Sequence, residues 1–164
     1  MANKEQTNGA QAQDNQEASV VFQPISQYVK DLSFECPNPI LPNQQGEEEL
    51  NLQVGVNLGK LEGEDAHEVS LMLKGEAKSK KTGDTLYLIE LVYGGAFVLQ
   101  NLPEDRLAAA LVIDGGSFLF PFARRIFMNM VADGGFRPPM LEPVNFHNLF
   151  LQAQQQQAQQ AAQG

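Results

Sequence analysis

Apolar and polar residues alternate with period two along four stretches of the chain and then recur every three or four residues, so a set of strands is followed by a set of helices. The cleanest alternation sets Leu50, Leu52, Val54, Val56 and Leu58 against Glu49, Asn51, Gln53, Gly55 and Asn57, a strand with one dry and one wet side. Residues 20–34 form an earlier strand, with Tyr28, Leu32 and Phe34 expected on one side and Val29, Asp31, Ser33 and Glu35 on the other. Pro24, which has no amide donor, suits its beginning or a sheet edge. Between the two lies CPNPILPNQQGEEE, an irregular crossover in which Ile40 and Leu41 still need cover. A third strand carries Val69, Leu71 and Leu73 on one face and Glu68, Ser70 and Lys74 on the other, and KKTGD turns it into a fourth. In that fourth strand Leu86, Leu88 and Val92 oppose Tyr87, Ile89, Leu91 and Tyr93, so both faces are apolar, and Gly94 with Gly95 predicts a bulge or bend.

The helical half begins with residues 102–113, opened by Pro103 and Glu104 and ended by Asp114 and two glycines. Ser117 then caps a longer helix whose stripe is Phe118, Phe122, Ile126 and Met130 with Phe127 and Val131, stopped by Gly134 and Gly135. FRPPMLEPV is held extended by its prolines, and Asn145 caps a last, short helix with Phe146, Leu149, Phe150 and Ala153 on one face. The pattern predicts an α+β fold: a four-stranded antiparallel sheet with the C-terminal helices packed on one face. Helices cover one face only, so the other apolar side of the fourth strand is expected to meet another subunit.

At 164 residues the chain suits one domain, residues 19–151, between an N-terminal arm (1–18) too polar to order itself and a Gln/Ala-rich tail (152–164) expected to fray. A formal charge of -9 disfavours nucleic acid or an anionic membrane surface and favours a cationic partner. The apolar runs fall short of a bilayer span and the start lacks a secretory layout, so the expected location is the cytoplasm, without membrane insertion. Cys36 is the single cysteine, and His67 and His147 lie far apart, so no metal site, cofactor or catalytic residue is expected. The sequence also has no recognisable nucleophile motif or phosphate-cradling glycine pattern, which stands against a small hydrolase or ligand-binding enzyme.

Three blocks carry a resemblance: DLSFECPN at residues 31–38, YGGAF at 93–97, and LFPFAR followed by GGF and LEPVNFHNLF between 119 and 150. In this order they resemble the SecB family of bacterial export chaperones, over residues 22–151. The resemblance implies a homotetramer, built as a dimer of dimers, that binds unfolded preproteins without ATP and passes them to the motor ATPase SecA. By position it implies that Asp31, Glu35, Leu88 and Glu90 contact SecA, and that the client groove is lined by Ile40, Leu41, Leu50, Leu52, Val54, Phe136, Phe146 and Phe150. The chain departs from the family in a crossover without aromatic residues and in a tail with no Asp, Glu, Lys or Arg after Glu142. A SecB-like protein serving another client, such as a toxin–antitoxin pair, is the alternative within the same fold.

Overall fold

A computed structural model describes residues 19–38 and 47–162. Four long strands, Val21–Glu35 (β1), Glu48–Lys60 (β2), Ala66–Ser79 (β3) and Thr85–Gln100 (β4), form one antiparallel sheet in the order β1-β4-β3-β2. The chain thus enters at one edge, crosses to the other, and returns inward through two hairpins. Helices Glu104–Ala110 (α1) and Gly116–Asp133 (α2), then Phe146–Ala162 (α3), follow. The α+β reading, with an antiparallel sheet under C-terminal helices, holds.

Strand alternation decides which residues the helices cover. Register pairs Leu71 with Tyr93, Leu73 with Leu91 and Ala77 with Tyr87, and these odd-numbered positions of β3 and β4 are buried. From α2, Leu119, Phe120, Ala123, Phe127 and Val131 meet them. Each such Leu, Ile or Phe contributes about 1.5–3 kcal/mol by leaving water. From β2, Leu50, Leu52, Val54 and Val56 join the same face half-buried, because β2 is an edge strand at the limit of the helical cover. Among the described residues, no layer covers the opposite face of the sheet.

Several expectations need correction. The faces of β1 are not as simple alternation places them. Register shifts between Pro24 and Ser26 and between Val29 and Asp31 put Tyr28 opposite Gly94, with Asp31, Ser33 and Glu35 on the same open face, while Val29, Leu32 and Phe34 share the helix face. The irregularities therefore lie in β1, and β4 keeps unbroken pairing through Gly94 and Gly95. Leu86, expected beside Leu88, stands at the irregular pairing where Ala77 faces Tyr87 and Lys78 faces Thr85, and joins the core.

The two middle helices are one. A π turn at Leu111–Gly115 joins α1 to α2, and Gly115 and Gly116 keep helical angles, so Ser117 is an interior residue and not a cap. Missing side chains allow close packing here: a Cβ on Gly115 would lie 2.9 Å from a Val69 methyl, and one on Gly116 2.6 Å from the Phe146 ring. The continuous helix over residues 104–133 is long and apolar enough by composition to span a membrane, contrary to the apolar-run argument, but its buried side lies on the sheet.

The stripe on α2 is also rotated from expectation. Phe118 and Phe122 are each 36% exposed, and Ile126 and Met130 half-buried, while Leu119 and Ala123 face the core. Finally, α3 runs to Ala162, longer than its apolar anchor implies, since Gln and Ala are strong helix formers and no proline or glycine interrupts them. The N-terminal arm and the crossover residues Ile40 and Leu41 lie outside the described residues.

Candidate functional site

Two surfaces bring the candidate residues together. The first is the open sheet face. Cross-strand register sets Glu35 opposite Leu88 and Ser33 opposite Glu90, with Asp31 opposite Val92 one step along the same face. Asp31, Glu35, Leu88 and Glu90 thus form one patch across β1 and β4, although 53 or more residues separate the two pairs in sequence. Leu88, Val92, Ala96 and Val98 from β4 and Met72 from β3 give the face a half-buried apolar floor.

Charge on this face is unevenly compensated. Lys74 pairs with Glu90, which raises the lysine above its ordinary pKa through a hydrogen bond to the carboxylate. Lys78 lies 3.2 Å from Glu76, and the Thr85 hydroxyl donates to the same Glu76 at 3.1 Å, so that carboxyl is held below the usual range by both bonds. Lys30 is engaged by Glu68 at 2.7 Å. Among the described residues neither Asp31 nor Glu35 has an ion-pair partner. Those two acids, with the small apolar floor beside them, offer negative charge to a cationic partner.

The second surface lies on the helix side, at the β2 edge. A cleft of about 410 Å³ opens between Leu50, Tyr87 and Met128 and the extended connector Arg137, Pro138, Pro139 and Met140, with Glu48 at its rim. The prolines cannot continue α2, and Gly135 takes a positive φ of 86° to turn the chain there. Tyr87 is pushed up to about 12, first by burial and then by the charge of Glu48, so its hydroxyl stays protonated and can donate to a backbone carbonyl. Apolar walls with a few donors beside an edge strand suit an extended polypeptide.

The structure divides the expected groove residues. Leu50 lines the cleft, and Leu52 and Val54 continue its edge half-buried. Phe136 and Phe146 are 4% and 3% exposed and belong to the core: the Phe136 ring lies tilted 4.8 Å from that of Tyr87, and Phe146 sits 6.1 Å from Phe120 over Gly116. Phe150 is half-buried one turn further along α3. Tyr87, Met128 and the connector at 137–140 escaped sequence reasoning, because a buried strand tyrosine and a helical methionine look like core. The paired prolines were the available signal. Among the described residues no group of three His, Cys, Asp or Glu could hold a metal ion.

A family model described as preprotein translocase subunit SecB matches residues 14–157. Proteins called protein-export protein SecB are similar over most of their lengths. That of Rhodopseudomonas palustris (strain BisB5) is 41% identical across 94% of this chain and 97% of its own. That of Bradyrhizobium sp. is 44% identical across 85% of each, and that of Desulfotalea psychrophila 36% identical across 93% and 99%. Among solved structures, the Mycobacterium tuberculosis Rv1957 SecB-like chaperone, in complex with a ChAD peptide from the HigA1 antitoxin, superimposes with a TM-score of 0.64. It is 15% identical and covers 75% of this chain and 90% of its own, a likeness of fold. With the blocks at residues 31–38, 93–97 and 119–150 all inside the matched region, the chain belongs to the SecB family of protein-export chaperones, whose role is non-enzymatic.

Proposed function

We propose that this chaperone holds unfolded preproteins in the cytoplasm without ATP, as a homotetramer arranged as a dimer of dimers, and delivers them to SecA. The observation that carries the delivery step is the cross-strand register that gathers Asp31, Glu35, Leu88 and Glu90 on one open face. A flat sheet face with two uncompensated acids and an apolar floor favours a partner that brings cations and some apolar contact. Clients take the other side: the cleft beside Leu50, continued by Leu52 and Val54, with Phe150 towards α3. Phe136 and Phe146 support this groove from beneath. Several such grooves on one assembly raise avidity for a single long client, which compensates for weak individual contacts.

Assembly is supported by apolar surface that the monomer leaves bare. Ile25, Val29 and Leu32 on the β1 edge are 57%, 45% and 36% exposed, and Phe118 and Phe122 on α2 are likewise exposed. An edge strand with apolar side chains and a helix with two partly exposed phenylalanines are costly as free surfaces and suited to twofold pairing.

Replacing Glu90 by lysine tests the delivery step. It reverses the charge of the patch and sets two lysines side by side at Lys74, so binding to SecA should weaken by about tenfold or more. Suppression of aggregation of an unfolded client should be unchanged. Loss of both activities together would assign Glu90 to the fold instead.

A further inference from the structure

On the open face, beside the Asp31 and Glu35 patch, a cluster of polar side chains reaches across three strands. The Tyr28 hydroxyl donates to Glu68 Oε1 at 2.5 Å, and Lys30 Nζ donates to Glu68 Oε2 at 2.7 Å and to Ser70 Oγ at 3.1 Å. Ser70, itself buried, donates to Glu68 Oε2 at 3.4 Å. Tyr28 and Lys30 belong to β1, Glu68 and Ser70 to β3, so these bonds bridge β4 without using it. They cross at Gly94. A Cβ there would lie 2.7 Å from Tyr28 Cε2 and 3.0 Å from Lys30 Cδ, so a glycine is what leaves the passage open.

The position of this cluster matters more than its strength. Lys30 is the residue skipped in the pairing between Val29 and Asp31, the second of the two bulges of β1. Tyr28 and Asp31 are three apart, and on an unbulged strand they face opposite sides. Moving or removing the bulge turns every residue beyond it over, sending Asp31, Ser33 and Glu35 towards the helices and Leu32 and Phe34 towards solvent. Phe34, packed 5.6 Å from Tyr87, favours the observed register from the core side. The Lys30 bonds fix it from the open side, at the bulged residue itself.

We infer that Tyr28, Lys30, Glu68 and Ser70, passing over Gly94, are positioning residues: they pin the β1 bulge and thereby aim Asp31 and Glu35 at the docking partner. This inference rests on the proposed docking of SecA to the open face. It also gives Lys30 a second effect, since Glu68 engages the one cation adjacent to Asp31 in sequence and leaves the acid pair uncompensated.

The test uses the full chain and purified SecA, with Glu68→Gln, Lys30→Met and the charge-swapped Lys30→Glu/Glu68→Lys, and Glu90→Lys as the reference for the face itself. Affinity for SecA, suppression of client aggregation, and amide hydrogen exchange across β1 are measured on each. Glu68→Gln and Lys30→Met should weaken SecA binding by roughly fivefold to tenfold, a loss of the size expected when a charge-assisted bond no longer fixes geometry. Aggregation suppression should stay at the parental level, faster exchange should be confined to residues 28–35, and the swapped pair should recover most of the binding. The inference is overturned if both single variants bind SecA like the parent while Glu90→Lys does not, or if they lose docking and aggregation suppression together. If Glu90→Lys also binds like the parent, the docking reading itself fails. Should Glu68→Gln not fold, Tyr28→Phe, which removes one hydroxyl, is read in the same way with a smaller expected loss.

Discussion

Glu68 is the carboxylate on which the open face turns. Its pKa is held below the ordinary glutamate range, chiefly by the hydrogen bond from Lys30 and next by that from Tyr28, with burial opposing both. A carboxyl with a folded pKa below its unfolded value contributes its stability above the unfolded value and loses it as pH falls through the folded one. The protein should therefore hold its urea midpoint from pH 7 down to about 5 and lose it below the ordinary glutamate value of about 4.3. In Glu68→Gln the acid limb should be shallower; an identical limb in both proteins would show that the pair contributes nothing to folding. Tyr28 complements this, raised to about 12 chiefly by its bond to Glu68, so its hydroxyl remains a donor throughout the neutral range. Individual contacts of this kind were beyond the sequence. Tyr28 and Glu68 are 40 residues apart, and only the register of three strands brings them together. The family resemblance did point to the four residues of the acidic patch, because short motifs keep their order even where pairing is unknown.

Elements were more legible than contacts. Period-two alternation identified all four strands, and the sheet's apolar core at Leu71, Leu73, Ile89 and Leu91 follows directly from it. Where a strand carries an extra residue, alternation fails, as β1 shows at Lys30. The break expected between two helices failed for a different reason: glycine lowers helix propensity, but tertiary contacts with Val69 and Phe146 require its small size at Gly115 and Gly116 and keep the helix continuous. Such π turns recur at functional places in helices, and this one seats the first turn of α3. Helical periodicity also could not tell the core side of α2 from the bare side, as both carry phenylalanines. Phe127, fully buried against Gly75, and Phe122, 36% exposed, separate the two roles. Phe127→Ala should destabilise the fold by about 3–5 kcal/mol in urea unfolding. Phe122→Ala should cost the fold less than about 1 kcal/mol, as for surface sites, yet lower the mass of the assembly at limiting concentration. Equal costs for the two would show that the stripe has been assigned to the wrong side.

For the molecule as a whole, the sheet separates two tasks. In the proposed arrangement clients take the side of the helices and the β2 edge while SecA docks on the open face that carries the acids, so the two need not compete for the same surface. The -9 formal charge biases encounter towards cationic partners generally, and the geometry of Asp31, Glu35 and Glu90 localises that bias. Composition could give the first half of that statement and not the second. The most direct test of the central claim is size-exclusion chromatography with light scattering of the protein alone and mixed with SecA. A mass near four times 18.0 kDa is expected, with co-elution with SecA that is lost in Glu90→Lys. A tetramer that elutes apart from SecA would contradict the docking role of the open face, and a monomer would contradict the assembly built on β1 and α2.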